Sequence, residues 1–174
     1  MNNFVVEVWN DECKKCIFYT VRWIEAELNE TDKFFKRYYG IGEYKEATQE
    51  LLSFVLDSIG ERHGAIDVLF NRFENEVIGL PNRGKVTVGE ITFFFPNFPL
   101  RLYALRINDR ADAVVLFNGG IKSGQTNSQS TDLNLKFIEA CEFAKRIEKA
   151  LRKKELFIDR KGRLSATDEA EIVL

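Results

Sequence analysis

Residues 99–122, PLRLYALRINDRADAVVLFNGGIK, decide how the rest of the chain folds. Segments 100–107 and 113–117 are rich in leucine, valine and aromatic side chains, and the Asn/Asp-containing segment 108–112 between them has the composition of a hairpin loop. The pair predicts the central hairpin of an antiparallel sheet. In the first run Leu100, Leu102, Ala104 and Arg106 alternate with Arg101, Tyr103, Leu105 and Ile107, so a period of two puts Arg101 and Tyr103 on one face. The second run, Ala113 to Phe117, has no polar face and predicts a strand deep in the sheet. Asn118-Gly119-Gly120 should break that strand and bring Lys122 to its end, beside the cations of its neighbour.

Outward from this hairpin, the N-terminal residues read as a second one. Phe4, Val6 and Val8 alternate with Val5, Glu7 and Trp9, and Ile17, Tyr19, Val21 and Trp23 alternate with Phe18, Thr20 and Arg22, across a short polar loop at 10–15. Residues 25–30 are acidic and unpatterned. Asn29 or Thr31 can cap a helix through Tyr39, with Asp32 in its first turn and Gly40 and Gly42 ending it. Its Phe34, Phe35, Tyr38 and Tyr39 form a stripe expected to face the core. A helix is predicted over 44–59, closed by Gly60, and a further helix or turn over 65–73. His63, between two glycines, reads as a solvated loop histidine. Pro81, Asn82 and Gly84 mark a loop or the start of a strand, and 91–95 suits an edge strand ended by Pro96 and Pro99. Beyond the central hairpin, 123–132 is a polar loop. A helix capped by Thr131 or Asp132 then carries Leu135, Ile138, Ala144, Ile147, Ala150 and Leu151 at spacings of three and four, to about Lys154. A short strand at 156–158, a turn at 159–162 and a tail from 165 finish the chain.

With 174 residues, 45% of them apolar, the chain can bury one sizeable core and reads as a single domain. Its net charge of −2 leaves no global basic field, so any polyanion site must be local. Residues 80–124 are such a locality: Arg83, Lys85, Arg101, Arg106, Arg110 and Lys122 outnumber Glu90, Asp109 and Asp112. The start of the chain does not look like a signal peptide and no apolar run is long enough to span a bilayer, which points to a cytoplasmic protein without a membrane partner. Cys13 and Cys16 form one C-x-x-C, and Cys141 falls on an apolar helix face. With a single histidine and one cysteine pair a zinc set cannot be completed locally, so the expectation is reduced thiols in a loop, no metal and no cofactor.

In order and pattern, the strand P-L-R-L-Y, the N-D-R turn, the apolar strand V-V-L-F, the glycine turn with Lys122 and the helix soon after resemble the RelE/ParE/HigB-type toxin superfamily. The resemblance covers roughly 44–151. It implies an α+β domain, an antiparallel sheet with helices packed on it, with a RelE-like core at 44–158, an N-terminal β-hairpin and helix extension at 1–43, and a tail at 159–174. Active members are metal-independent endoribonucleases that cleave mRNA, often on the ribosome, and each is neutralised by an antitoxin protein. The implied catalytic set is Arg101, Tyr103 and Lys122: two cations for the phosphorane, and a tyrosine to carry a proton or stack on a base. Arg83, Lys85 and Arg106 would contact backbone phosphates. A non-catalytic member of the same fold, binding a protein partner through its sheet or aromatic helices, is the other expectation.

Overall fold

The structure, a computed structural model, describes residues 2–122, 127–167 and 170–174, of which 127–130 by backbone only. The N-terminal hairpin forms as β1 (Phe4–Asn10) and β2 (Ile17–Trp23), paired antiparallel. Helix α1 (Glu30–Tyr39) starts on Asn29, whose side chain accepts a hydrogen bond from the Asp32 N–H at 2.7 Å. A single 3₁₀ turn leads into α2 (Lys45–Ser53), which continues as a π-helix, Phe54–His63. The apolar spacing that predicts a helix to Gly60 does not separate α from π winding. His63 therefore ends a helix rather than lying in a loop, with its ring edge-on to Phe93. Residues 65–70 form turns.

Short strands β3 (Phe73–Glu74) and β4 (Val77–Leu80) come next, then the hairpin β5 (Val86–Val88) and β6 (Ile91–Phe93). The central hairpin is β7 (Leu100–Arg106) and β8 (Ala113–Ile121). Helix α3 (Asn127–Arg152) follows, then β9 (Leu156–Ile158), β10 (Leu164–Ala166) and β11 (Ile172–Val173). Of the polar loop expected at 123–132, residues 123–126 lie outside the described residues and the remainder is the first turns of α3. Ser, Thr, Asn and Gln have only mildly unfavourable helix propensity, so an established helix can propagate back through them.

The fold is α+β, and its sheet is mixed where an all-antiparallel one was expected. Strand order is β11-β1-β2-β8-β7-β4-β3, and β2 lies parallel to β8. Side-chain alternation is identical for parallel and antiparallel neighbours, so the sequence carries no signal for this pairing. Every residue of β8 is buried, as its lack of a polar face requires. One face of the sheet packs Leu102, Ala104 and Leu116 against α1, α2 and the π-helix, and the other packs Tyr103, Val115 and Phe117 against α3. The tail is ordered where it meets the sheet: β11 pairs antiparallel with β1. The turn between β9 and β10 is pinned by Tyr19, whose hydroxyl donates to the Gly162 carbonyl and accepts from the Leu164 N–H, both at 2.9 Å.

Asn118-Gly119-Gly120 do not break β8. They form a bulge: Leu102 pairs with Gly119 but Ala104 pairs with Leu116, so two residues of β8 oppose Tyr103. The extra residue inverts the alternation of everything that follows. Gly120 pairs with Arg101 and faces Leu133 of α3. Beyond β8, Lys122 is tied in by its N–H to the Pro99 carbonyl at 2.7 Å.

Candidate cationic site on the sheet

β7 and β4 build the floor of the site. Arg101 and Tyr103 share the α3 face, and Gly79 of β4 pairs with Tyr103. A Cβ at Gly79 would lie 2.6 Å from a Glu74 carboxylate oxygen, 2.7 Å from Arg101 Cδ and 2.9 Å from Arg72 Cδ. The glycine is there because three charged stems cross its Cα, a space no side chain could share. Arg72 is held by the Pro81 and Asn82 carbonyls, each at 3.3 Å, and the Arg83 backbone is clipped on both sides by the Asn71 side chain.

Arg101 is 5% exposed, and its guanidinium is poorly paired: Nη1 donates to Glu74 at a long 3.5 Å, and Nε has no partner. Burial first, then Arg83, works against its charge, while Glu74 supports it; the net displacement is downward. Arg72 is displaced downward by burial and by Arg101. For the exposed Lys122 the causes run burial, Arg101, Arg72, again downward, with Glu74 opposing. Arg72, Arg101 and Lys122 thus share one carboxylate, Glu74, and the charge of nearby Arg83 adds to the cost of keeping all three ionised. An anion placed there would relieve that repulsion and supply acceptors for the Arg101 donors.

Tyr103 is buried beneath Phe137, ring centroids 5.5 Å apart, and burial followed by the charge of Glu74 drives its hydroxyl pKa well above the ordinary value. As placed, it is a packed tyrosine rather than a proton carrier. Lys85 stands over the Phe94 ring at 5.3 Å. Arg106 is on the opposite face, buried, donating to the Ala65 carbonyl at 3.1 Å and to Asp67 at 2.7 Å with Phe70 beneath it. The alternation of β7 already separates it from Arg101. Sequence reasoning missed Arg72, Glu74 and Gly79, because β3 and β4, which carry or flank them, are two and four residues long, too short to show an alternation.

The cysteine pair lies elsewhere. Cys13 and Cys16 are free thiols in the β1–β2 loop, both shifted upward, chiefly by burial, and then by Glu61 for Cys13 and Asp112 for Cys16. Such thiols are weak nucleophiles and poor metal ligands. Among the described residues no three His, Cys, Asp or Glu side chains are grouped to hold a metal ion. Protein purified without chelator is expected to carry far less than stoichiometric zinc by elemental analysis; one zinc per chain would contradict this.

No family model matches the chain, and neither does any curated protein or solved structure. Among the described residues no helix is long and apolar enough to cross a membrane.

Proposed function

We propose that the protein binds RNA through its phosphate backbone at the Arg72–Arg83–Arg101–Lys122 cluster, as the RNA-directed member of a toxin–antitoxin pair. The observation that carries this reading is a buried arginine with an unpartnered Nε amid a surplus of cations, in a chain whose overall charge is negative. Binding is the supported step. Cleavage needs a group that moves a proton, and Tyr103 beneath Phe137 is not placed to do so.

Titration of the full chain against a labelled single-stranded RNA should give saturable binding that weakens steeply between about 50 and about 200 mM salt. Lys122→Ala and Arg83→Ala should each weaken binding for all sequences alike and flatten the salt slope by about one unit or less. No saturable binding at the lowest salt, in folded protein, removes the reading. Growth arrest on expressing the chain alone would add the toxin half of it.

A second reading, a module that docks a protein partner, is favoured by a different feature. A groove of about 810 Å³ runs between β3–β4, the end of β7 and the C-terminal part of α3, lined by Val77, Leu105, Ile107, Leu151 and Phe157, with Phe73 70% exposed at its edge. An antitoxin could use this groove without touching the cationic site. Phe73→Ala, which removes the exposed ring without adding charge, should then weaken partner binding and leave RNA binding unchanged.

A further inference from the structure

The two halves of α3 are held differently. From Ala140 onward the helix buries Ala140, Cys141, Phe143, Ala144, Ile147 and Ala150. Over 131–139 no residue is fully buried, and Leu135 and Ile138 are 59% and 55% exposed. This half is tied down by Leu133 against Gly120, Phe137 on Tyr103, an Arg37–Asp132 ion pair at 3.0 Å, and Glu139 against Glu30 of α1. It covers the face on which Arg101 lies.

The Glu139–Glu30 contact is the unusual tie. Glu30 is 1% exposed, and its oxygens accept from Lys33 Nζ at 2.7 Å and Asn118 Nδ2 at 3.2 Å. Glu139 adds a second carboxyl whose Oε1 is buried without a partner. The charged groups facing the pair are Lys33 from α1 and Lys136 from α3 itself, and β8 offers the neutral Asn118. Two carboxylates in contact repel; with one proton between them they hydrogen-bond.

We propose that the seam between α1 and the N-terminal half of α3 is latched by a single proton shared by Glu30 and Glu139, whose loss lets this half lift and opens the Arg101–Tyr103 face to its anionic ligand. The regulatory role rests on the anion-site reading above; the latch itself does not. Burial, then the hydrogen bond and charge of Glu30, push Glu139 up to about 7 from its ordinary 4.5. For Glu30 burial acts upward, but hydrogen bonds with Lys33, Glu139 and Asn118 hold it below the ordinary value. A carboxyl raised in the closed form binds its proton more tightly there than in the open form. The closed form is therefore most favoured below pH 4.5 and loses that advantage as pH rises to about 7. Across this window the open-to-closed ratio should grow on the order of 10²-fold.

Amide hydrogen exchange on the full chain between about pH 5 and about pH 8, corrected for intrinsic rates, reads the latch directly. Protection over 131–139 should fall with pH by up to that factor while protection over 143–150 stays constant. Glu139→Gln keeps a hydrogen-bonding side chain that cannot ionise, so its protection should be flat. Wild-type protection that does not change with pH, or a glutamine variant that repeats the wild-type trend, overturns the latch. If the variant does not fold, the Glu139 carboxyl carbon shift in the wild type decides: a midpoint near 7 supports the latch and one near 4.5 overturns it. At fixed salt the affinity for the RNA probe should rise with pH in the wild type and stay level in Glu139→Gln. Salt-dependent binding that ignores pH removes the gating role and leaves the anion site. Loss of RNA binding at every pH, with pH-dependent protection retained, removes the anion site and leaves the latch.

Discussion

Gly119→Ala is expected to be the most damaging single-methyl change in this protein, lowering stability by about 4 kcal/mol or more. Gly119 sits at the bulge of β8 opposite Leu102, and a Cβ there would fall onto the Arg101 backbone carbonyl. Neither atom can give way, because both belong to the central strand pair and every residue of β7 and β8 is buried. The strands would have to separate, or the bulge slip and invert the alternation that follows it. Gly120→Ala is the internal control: its Cβ would meet Leu133 at 3.4 Å, close to an ordinary contact. Urea denaturation should show a large loss of midpoint for the first variant and a change within about 1 kcal/mol for the second. Equal effects would mean that the bulge does not govern this strand.

Phe143→Ala should cost about 3–5 kcal/mol. Phe143 is buried on α3 and touches Phe4 and Trp23 at 4.8 Å and stacks on Phe117 at 5.7 Å, so one ring joins α3 to β1, β2 and β8. Three aromatic partners cannot all move inward to fill the cavity, so little of the loss is recovered by relaxation. Leu135→Ala on the same helix should change stability by less than about 1 kcal/mol, because that side chain is mostly in water. The contrast also tests the uneven anchoring of α3 on which the latch depends.

Much of the local structure was legible in residues 99–122 and their flanks. Period-two alternation gives both strands of the N-terminal and central hairpins, and the same alternation places Arg101 and Tyr103 together and Arg106 apart. The Asn29 cap and the amphipathic pattern of α3 were equally readable, since each depends on residues within a turn or two. The candidate site is less legible. Arg101 and Lys122 are visible as cations near a strand end, whereas the packing of Tyr103 under Phe137 is not. Arg72 and Glu74, the latter 27 residues before Arg101, give no local sign that the chain brings them together with Arg101 over Gly79.

What the sequence determines by itself is therefore the longer, strongly patterned elements and the face each side chain takes within them, because those follow from backbone geometry over a few residues; the short strands β3, β4, β10 and β11 and the π winding of Phe54–His63 carry no such pattern. The tertiary structure alone decided that β2 runs parallel to β8, since alternation is blind to strand direction. It decided that the bulge inverts the alternation after Phe117, since an extra residue shows only against the partner strand. It decided, too, that Glu30 and Glu139, more than a hundred residues apart, face one another in a buried setting. Burial and charge balance are properties of neighbours in space, and those neighbours exist only once the chain has folded.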